Sequence, residues 1–271
     1  MNHFGLSSRL ITELKKEKMI FVNAKLRHMN YTLAPGDEIM VKLDFDVNTF
    51  TPEKRELDII YEDEAMVVVN KDPYLTVHPT KGTPCGTLLN ALAYYAKTQG
   101  EDYKIRFANR LDRDTSGVII IAKNKFIDHK LSTQFVERSP QKFYLALVEG
   151  KTLDEFSFEG KMGRRGEEYQ RILMEEGKDS LTYFTTLATR TDISLVRCQP
   201  ITGRTHQIRL HLSSLSHTIL GDELYGYRGD VARTMLHCEK MIIHHPISGQ
   251  QLELIAPLKE DMKQCMEEIY E

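Results

Sequence analysis

The sequence lacks the features that mark several common protein classes. Its four cysteines, Cys85, Cys198, Cys238 and Cys265, are far apart and form no CxxC pair. We therefore predict reduced thiols in a cytoplasmic protein, and neither a disulfide framework nor a zinc site. The opening M-N-H-F-G-L has no apolar signal-peptide core, and no apolar run approaches the roughly 18 residues of a membrane helix. There is no glycine-rich phosphate loop, internal repeat or low-complexity segment.

The distribution of charge is more informative than its total. The 271 residues are 41% hydrophobic and 28% charged, with a net charge of −3, which is ordinary for a globular protein and argues against a general nucleic-acid binder. Residues 1–43, however, hold seven Lys and Arg against four acidic residues, a net charge of +3, which leaves −6 for the rest. A basic head on an acidic body predicts that the head contacts a polyanion.

Residues 1–45 have the pattern of a small αβ unit. Ser7 or Ser8 can cap a short helix whose last turn is basic, and short strands are predicted at 21–23 and 39–41. The unit is therefore predicted to form a separate domain. The basic side chains expected to meet the polyanion are Arg9, Lys15, Lys16 and Lys18.

Residues 57–271 form a second, larger predicted domain, after an aperiodic linker over residues 46–56. Strand patterns dominate it, and the tail after Pro257 is acidic and predicts a surface helix. The other predicted elements are strands at 59–61, 66–70, 143–148, 181–188 and 193–199, and helices at 86–97, 126–137 and 205–216. Runs of strands with few helices between them predict an α+β fold with a mostly antiparallel sheet.

The most informative segment is R-L-D-R-D-T-S-G, residues 110–117. Asp112 stands between two arginines and ahead of the apolar run 118–122, so its carboxylate lies in a loop that enters a strand. Nearby guanidinium groups favour the ionised acid and can hold a polyanion beside it. The segment fits covalent or proton-transfer chemistry on a phosphate-bearing substrate, or a surface loop with a local ion pair.

Two further motifs follow in order: K-F-Y-L-A-L-V-E-G at 142–150 and T-G-R-T-H-Q-I-R-L-H at 202–211. With all three motifs present, residues 57–257 resemble the RluA family of pseudouridine synthases, which carries (H)RLDxxTSG, KxYxAxVxG and GRTHQIRxH. The resemblance implies a mixed, mostly antiparallel catalytic sheet and isomerisation of uridine in RNA without a cofactor or metal. Residues 1–45 are similar to an S4 RNA-binding domain, through the basic helix, a V-N turn and P-G-D before the last strand.

The resemblance implies a catalytic role for three residues. Asp112 matches the catalytic aspartate, Tyr144 the active-site tyrosine, and Arg209 the arginine that pairs with that aspartate and favours its charged form. One carboxylate can break and remake the glycosidic bond by adding covalently to the sugar or base, or by removing the 2′ proton, and both routes stay open. Tyr144 can stack on uracil and its hydroxyl can take the C5 proton, or it is a strand aromatic facing the core.

Four more residues are predicted to contact RNA. Arg110 can fill the space left by a flipped base, or form an ion pair with a neighbouring aspartate. Asn109 stands where the family usually has histidine, and we expect it to affect base flipping or substrate choice. Arg204, near the start of a predicted helix, is expected to contact phosphate or backbone. His206 is expected to form hydrogen bonds or to pack.

A metal site is not expected in the third motif. His206 and His211 are five residues apart, which on the predicted helix separates them by about 140°. They are therefore a poor chelating pair.

The predicted substrate is structured RNA, with large-subunit ribosomal RNA as first choice and transfer RNA as second. A monomer is the default expectation. The alternatives are an RNA-binding protein that does not isomerise, and a glycosidase that releases uracil. A glycosidase needs two carboxylates across the bond, and Asp114, about 7 Å further along an extended loop and on the same side as Asp112, is poorly placed for that role.

Overall fold

A computed structural model describes residues 6, 8–28, 30–43 and 49–270. Ser7, the alternative helix cap, and residues 46–48 of the predicted linker lie outside these ranges. The described chain forms a three-stranded sheet near the N-terminus and an eleven-stranded sheet in the remainder. No helix within the described ranges is long and apolar enough to cross a membrane.

The N-terminal unit packs one helix against the small sheet. Its elements are α1 (Ser8–Lys16), β1 (Ile20–Val22), β2 (Lys25–Leu26) and β3 (Ile39–Val41), with antiparallel strand order β2-β1-β3. Leu10 and Leu14 are the buried face of α1. The Asn23 side chain joins the two turns, because it donates to Asp37 Oδ1 at 2.7 Å and accepts from the Glu38 amide at 2.9 Å. The predicted helix and strands are present; β2 was not predicted because it is two exposed residues long.

The large sheet is antiparallel throughout except where β13 meets β7. Its strand order is β10-β9-β11-β12-β8-β13-β7-β5-β4, with β14 on β13 and β6 on β7. The strands are β4 (Ile59–Glu62), β5 (Met66–Lys71), β6 (Arg106–Phe107), β7 (Ser116–Ala122), β8 (Gln141–Glu149), β9 (Glu155–Gly163), β10 (Ile172–Leu173), β11 (Lys178–Arg190), β12 (Ile193–Pro200), β13 (Leu236–His244) and β14 (Gln251–Ile255). The predicted α+β class and mostly antiparallel sheet are confirmed.

Within the described residues, four α-helices follow the N-terminal one: α2 (Leu88–Thr98), α3 (Lys125–Glu137), α4 (Gln207–Ser214) and α5 (Glu260–Tyr270). Predicted helix 86–97 starts later because Thr87 caps α2 and accepts a hydrogen bond from the Asn90 amide. The helix predicted at 205–216 is wrong at its start. His206 has a left-handed backbone (φ 58°) and precedes α4, so the helical angle used to compare His206 with His211 does not apply.

Two hydrophobic clusters pack on the large sheet. One surrounds β5, β7, α2 and α3, and the other surrounds β8, β12, α4 and α5. Tyr144 on β8 packs against both clusters. The loop between β6 and β7 carries Asp112.

Candidate active site

The Asp112 loop is held by its neighbours on both sides. Before it, Asn109 extends the β6–β7 pairing with its side chain, donating to Val118 O at 3.0 Å and accepting from the Ile120 amide at 2.8 Å. After it, two buried basic side chains hold consecutive carbonyls, since Lys71 Nζ donates to Arg113 O at 2.9 Å and Arg233 Nη1 donates to Asp114 O at 3.2 Å. Burial lowers the pKa of Lys71 to about 7, and the two contacts fix the backbone of the loop that carries the carboxylate.

Gly117 lets the strand after this loop approach its neighbour. Its φ is +112°, and a Cβ at this position would overlap the backbone of Cys238 on β13. Ser116 lies beside it, 2.8 Å from His237 Nδ1. The other ring nitrogen, Nε2, is 3.0 Å from Ala256 O and must donate to it, so Ser116 Oγ donates to Nδ1. The T-S-G turn is thus joined to β13 by both backbone and side chain.

Arg209 connects Asp112 to a second carboxylate. Nη1 donates to Asp112 Oδ2 at 3.2 Å, while Nε and Nη2 each donate to Asp222 at 2.7 Å. Burial opposes the charged guanidinium, but the hydrogen bonds that it donates to Asp222 and the negative charges of Asp222 and Asp112 outweigh burial and raise the pKa of Arg209. The predicted Arg209–Asp112 contact is present. It is a single hydrogen bond, because the bidentate partner of the guanidinium is Asp222.

His206 points a buried nitrogen at the same carboxylate. The Tyr225 hydroxyl accepts from the Arg171 amide at 2.9 Å and lies 3.1 Å from His206 Nδ1. The other ring nitrogen, Nε2, is 3.6 Å from Asp112 Oδ2 and makes no hydrogen bond within the described chain. Burial lowers the pKa of His206 to about 4, against the opposing charge of Asp112, so the ring is neutral near pH 7.

Tyr144 faces the cavity from the centre of the sheet. Cys198 on β12 and Cys238 on β13 flank it in register, whereas its neighbour Phe143 lies on the other face under the Lys240 ammonium. Burial, then the Cys238 thiol, then the negative charge of Asp112 raise the pKa of Tyr144 well above its ordinary value. The phenol is therefore neutral in the free protein.

One cavity of about 450 Å³ joins the predicted catalytic and RNA-contacting residues of the large domain. Its lining includes Asn109, Arg110, Asp112, Tyr144, Arg204, His206 and Arg209. Arg138 and Lys142 add two further cations at this wall. The four basic residues predicted on the N-terminal unit do not line it; they lie exposed on or just after α1. The structure therefore presents one candidate active site and a separate basic helix.

The cavity arginines differ in their partners. Arg110 is exposed and forms no ion pair with Asp112 or Asp114 within the described residues; Asp114 pairs with Arg113 at 2.8 Å instead. Arg204 is anchored, because its Nε donates to Asp179 O at 3.0 Å. Both polar atoms of the Asn109 side-chain amide form hydrogen bonds with the β7 backbone. Its predicted contact with RNA remains a prediction, and its observed contacts are with β7.

Four residues of the site were missed from the sequence: Lys71, Asp222, Tyr225 and Arg233. Lys71 directly follows the strand predicted at 66–70. A basic residue after an apolar run is the sequence signal that could have identified it. Tyr225 ends a short 3₁₀ segment (Glu223–Tyr225), and Asp222 directly precedes it, where the sequence has no periodic signal. Their importance follows only from burial beside Arg209 and His206.

Comparisons with known proteins identify the family of this chain. The sequence profile described as RNA pseudouridylate synthase matches residues 65–214. The chain belongs to the RluA-type family of RNA pseudouridine synthases. It is 33% identical to the RNA pseudouridine synthase YjbO of Bacillus subtilis (strain 168), over 97% of this chain and 95% of that protein. It is 32% identical to ribosomal large subunit pseudouridine synthase D of Neisseria meningitidis, over 91% of this chain and 71% of that one.

The fold is shared with solved members of the family. The human RNA pseudouridylate synthase domain containing 4 aligns with a TM-score of 0.67 at 22% identity, covering 78% of this chain and 92% of that one. The protein is therefore an isomerase that acts on RNA, as its family membership shows. The predictions of a pseudouridine synthase fold and activity are confirmed.

Proposed function

We propose that this enzyme isomerises uridines of large-subunit ribosomal RNA, with Asp112 as the group that attacks the nucleoside. The Arg209–Asp112 contact on the wall of the cavity carries the catalytic part of the proposal. The guanidinium, fixed by Asp222, orients one carboxylate oxygen and leaves the other available to the substrate. The ribosomal target is supported by relatives named ribosomal large subunit pseudouridine synthase D; transfer RNA is the second choice.

Residues around Asp112 support a division of work during the reaction. A uridine in folded RNA must first leave its stack, at a cost of a few kcal/mol, and the exposed Arg110 guanidinium is placed to fill the vacated space. The flipped uracil then stacks on the ring of Tyr144 while Asp112 adds to the sugar or base, or removes the 2′ proton. The His206 Nε2 atom faces Asp112. It is placed to form a hydrogen bond with the carboxylate as the charge of that group changes during the reaction.

The N-terminal unit is proposed to be an S4-like domain that binds RNA. Arg9, Lys15, Lys16 and Lys18 are all exposed. Glu13, on the same helix, pairs with Lys125 of α3 at 2.6 Å, which ties the basic helix to the catalytic domain. Phosphate contacts should make binding fall with salt, and replacing the four cations by glutamine should flatten that dependence. A dependence unchanged by the replacement would remove the helix from the RNA interface.

The catalytic proposal is tested by tritium release. RNA labelled with tritium at uridine C5, taken from cells that lack this protein, should lose label to water with the wild type and none with Asp112→Ala. Equal release by both proteins would contradict the role of Asp112. Pseudouridine mapping in ribosomal and transfer RNA of the same cells decides the substrate, because only the true target loses a modification. The cytoplasmic location predicted from the cysteines belongs to the same proposal.

A further inference from the structure

Tyr74 has a backbone conformation that its residue type disfavours. It follows Pro73 in a turn and has φ +60°, the second central position of a turn that normally takes glycine. A non-glycine residue in this region costs on the order of 1 kcal/mol or more, and such strain is often kept at functional positions. The Tyr74 ring is 53% exposed, so packing in the core does not account for its presence.

The Tyr74 turn lies against the catalytic loop. Lys71 Nζ donates to Leu75 O at 3.0 Å and to Arg113 O at 2.9 Å, which places the backbone after Tyr74 next to the backbone after Asp112. The Arg113 side chain is 62% exposed. Its guanidinium pairs with Asp114 on the same loop. The Lys71 bridge therefore places Arg113 beside the turn that carries Tyr74.

Tyr169 completes the group from the loop between β9 and β10. Its ring is 68% exposed and meets the His206 ring edge-on, with centroids 4.9 Å apart. The loop is fixed on the 3₁₀ segment, because Gln170 Nε2 donates to Leu224 O at 3.0 Å and the Arg171 amide donates to Tyr225. Tyr169 is thus an exposed aromatic ring held one side chain away from Asp112.

We propose that Tyr74, Arg113 and Tyr169 form a stacking surface for unpaired RNA bases adjacent to the target uridine. Tyrosine rings and guanidinium planes stack on any base, and all three side chains are exposed. Lys71 joins the Tyr74 turn to Arg113, next to Asp112, and Tyr169 packs on His206, which faces Asp112. The proposal rests on the proposed function, since it assumes that a uridine occupies the cavity. It adds a substrate class: uridines whose neighbours are single-stranded.

Charge supports base stacking over phosphate binding at this surface. The loop from 164 to 171 has Arg164, Arg165 and Arg171 but also Glu167 and Glu168, and Arg113 is paired with Asp114. Phosphate binding would favour an excess of unpaired cations. Stacking requires free planar faces, which the two tyrosines provide. A paired helix hides the faces of its bases, so duplex flanks should not bind here.

Fluorescence tests the surface directly, because the chain contains no tryptophan. Tyr169→Trp introduces a single reporter at the proposed surface. Its emission should be quenched by a single-stranded RNA of about 12 nucleotides of mixed sequence, and not by the blunt duplex of the same sequence. Tyr183→Trp is the matched control. Tyr183 is also exposed, but its side chain lies on the opposite face of the sheet from Phe184 and Tyr144. Its emission should change with neither the single-stranded RNA nor the duplex. No quench at position 169, or equal quenching by the two RNAs, overturns the proposal.

Kinetics separate this surface from the chemistry. In the tritium-release assay, Tyr169→Ala and Tyr74→Gly should each raise KM about tenfold while kcat stays within about twofold, and Tyr169→Phe should restore the wild-type KM. An unchanged KM in both variants overturns the stacking surface while leaving the proposed function intact. If the wild type releases no tritium from any RNA, the proposed function fails, and the fluorescence comparison still decides whether the surface binds unpaired bases.

Discussion

Asp222 takes two hydrogen bonds from Arg209, both 2.7 Å long, and leaves one guanidinium nitrogen for Asp112. The Asp222 carboxylate is almost completely buried, whereas the Asp112 side chain is 18% exposed. Arg209 therefore contacts one carboxylate inside the protein and another at the cavity. Because Asp222 holds the guanidinium by two hydrogen bonds, the Asp112 carboxylate can change its bonding without releasing the arginine.

The two carboxylates should fail in different ways when they are replaced. Asp222→Ala leaves a buried guanidinium with too few partners and should lower the free energy of unfolding by about 3 kcal/mol, with activity falling as Arg209 shifts. Asp112→Asn should change stability by less than about 1 kcal/mol and reduce kcat by about a thousandfold or more. Urea denaturation beside tritium release measures both. A stable Asp222→Ala protein with full activity would show that Arg209 needs no second partner.

Buried neutral histidines should make the protein sensitive to mild acid. Burial lowers the pKa of His206, His211 and His237 from 6.5 to about 4. Above pH 6.5 these groups are neutral in both the folded and unfolded states. As the pH falls from 6.5 towards 4, the unfolded state takes up protons first, so stability is lost by up to about 1.4 kcal/mol per pH unit for each histidine.

Thermal melting between pH 7.5 and 4.5 measures this loss. His211 lies between Ser180 and Thr182, 2.9 Å from each hydroxyl, and His211→Gln should reduce the slope of melting temperature with pH. His244→Gln, at an exposed position, is the control and should leave the slope unchanged. Equal slopes for all three proteins would mean that His211 does not titrate with unfolding.

Replacing the neighbouring residues Asn109 and Arg110 should have opposite effects: the first should lower stability and the second should lower activity. Asn109→Ala leaves Val118 O and the Ile120 amide without their side-chain partner and should cost about 1–3 kcal/mol of stability. Arg110→Ala removes an exposed side chain and should shift stability by less than about 0.5 kcal/mol, while reducing activity on folded RNA about tenfold through impaired base flipping. If Asn109→Ala melts like the wild type and only its activity falls, the interpretation of Asn109 as an RNA contact is supported instead.

Tyr144 should act mainly through its ring. Because burial raises the pKa of Tyr144 well above its ordinary value, its neutral hydroxyl is a weak proton acceptor. Tyr144→Phe should therefore keep at least about a tenth of wild-type kcat, and Tyr144→Leu about a hundredth or less, because it loses the stacking face. Single-turnover tritium release distinguishes them. Equal loss in both variants would assign the C5 proton transfer to the hydroxyl.

Secondary structure was predictable where periodicity is strong and local. The β4–β5 hairpin and the strands β8, β11 and β12 lie where their alternating patterns predicted. β9, β13 and β14 were not assigned. β9 alternates between exposed and half-buried positions along most of its length and so has a weaker hydrophobic pattern. The predicted start of α4 is wrong because His206 has a left-handed backbone. That conformation depends on the tertiary contacts of the preceding loop and not on a local sequence pattern.

The sequence by itself determined the family, the catalytic residues to examine and the basic character of the N-terminal helix. These follow from short motifs whose residue types and order are local. Tertiary structure alone decided which polar groups contact each other: Asp222 with Arg209, Lys71 with the Arg113 carbonyl, and the Asn109 amide with β7. A buried charge or amide must find a partner wherever the fold brings one, and those partners come from separate segments whose meeting no local pattern encodes.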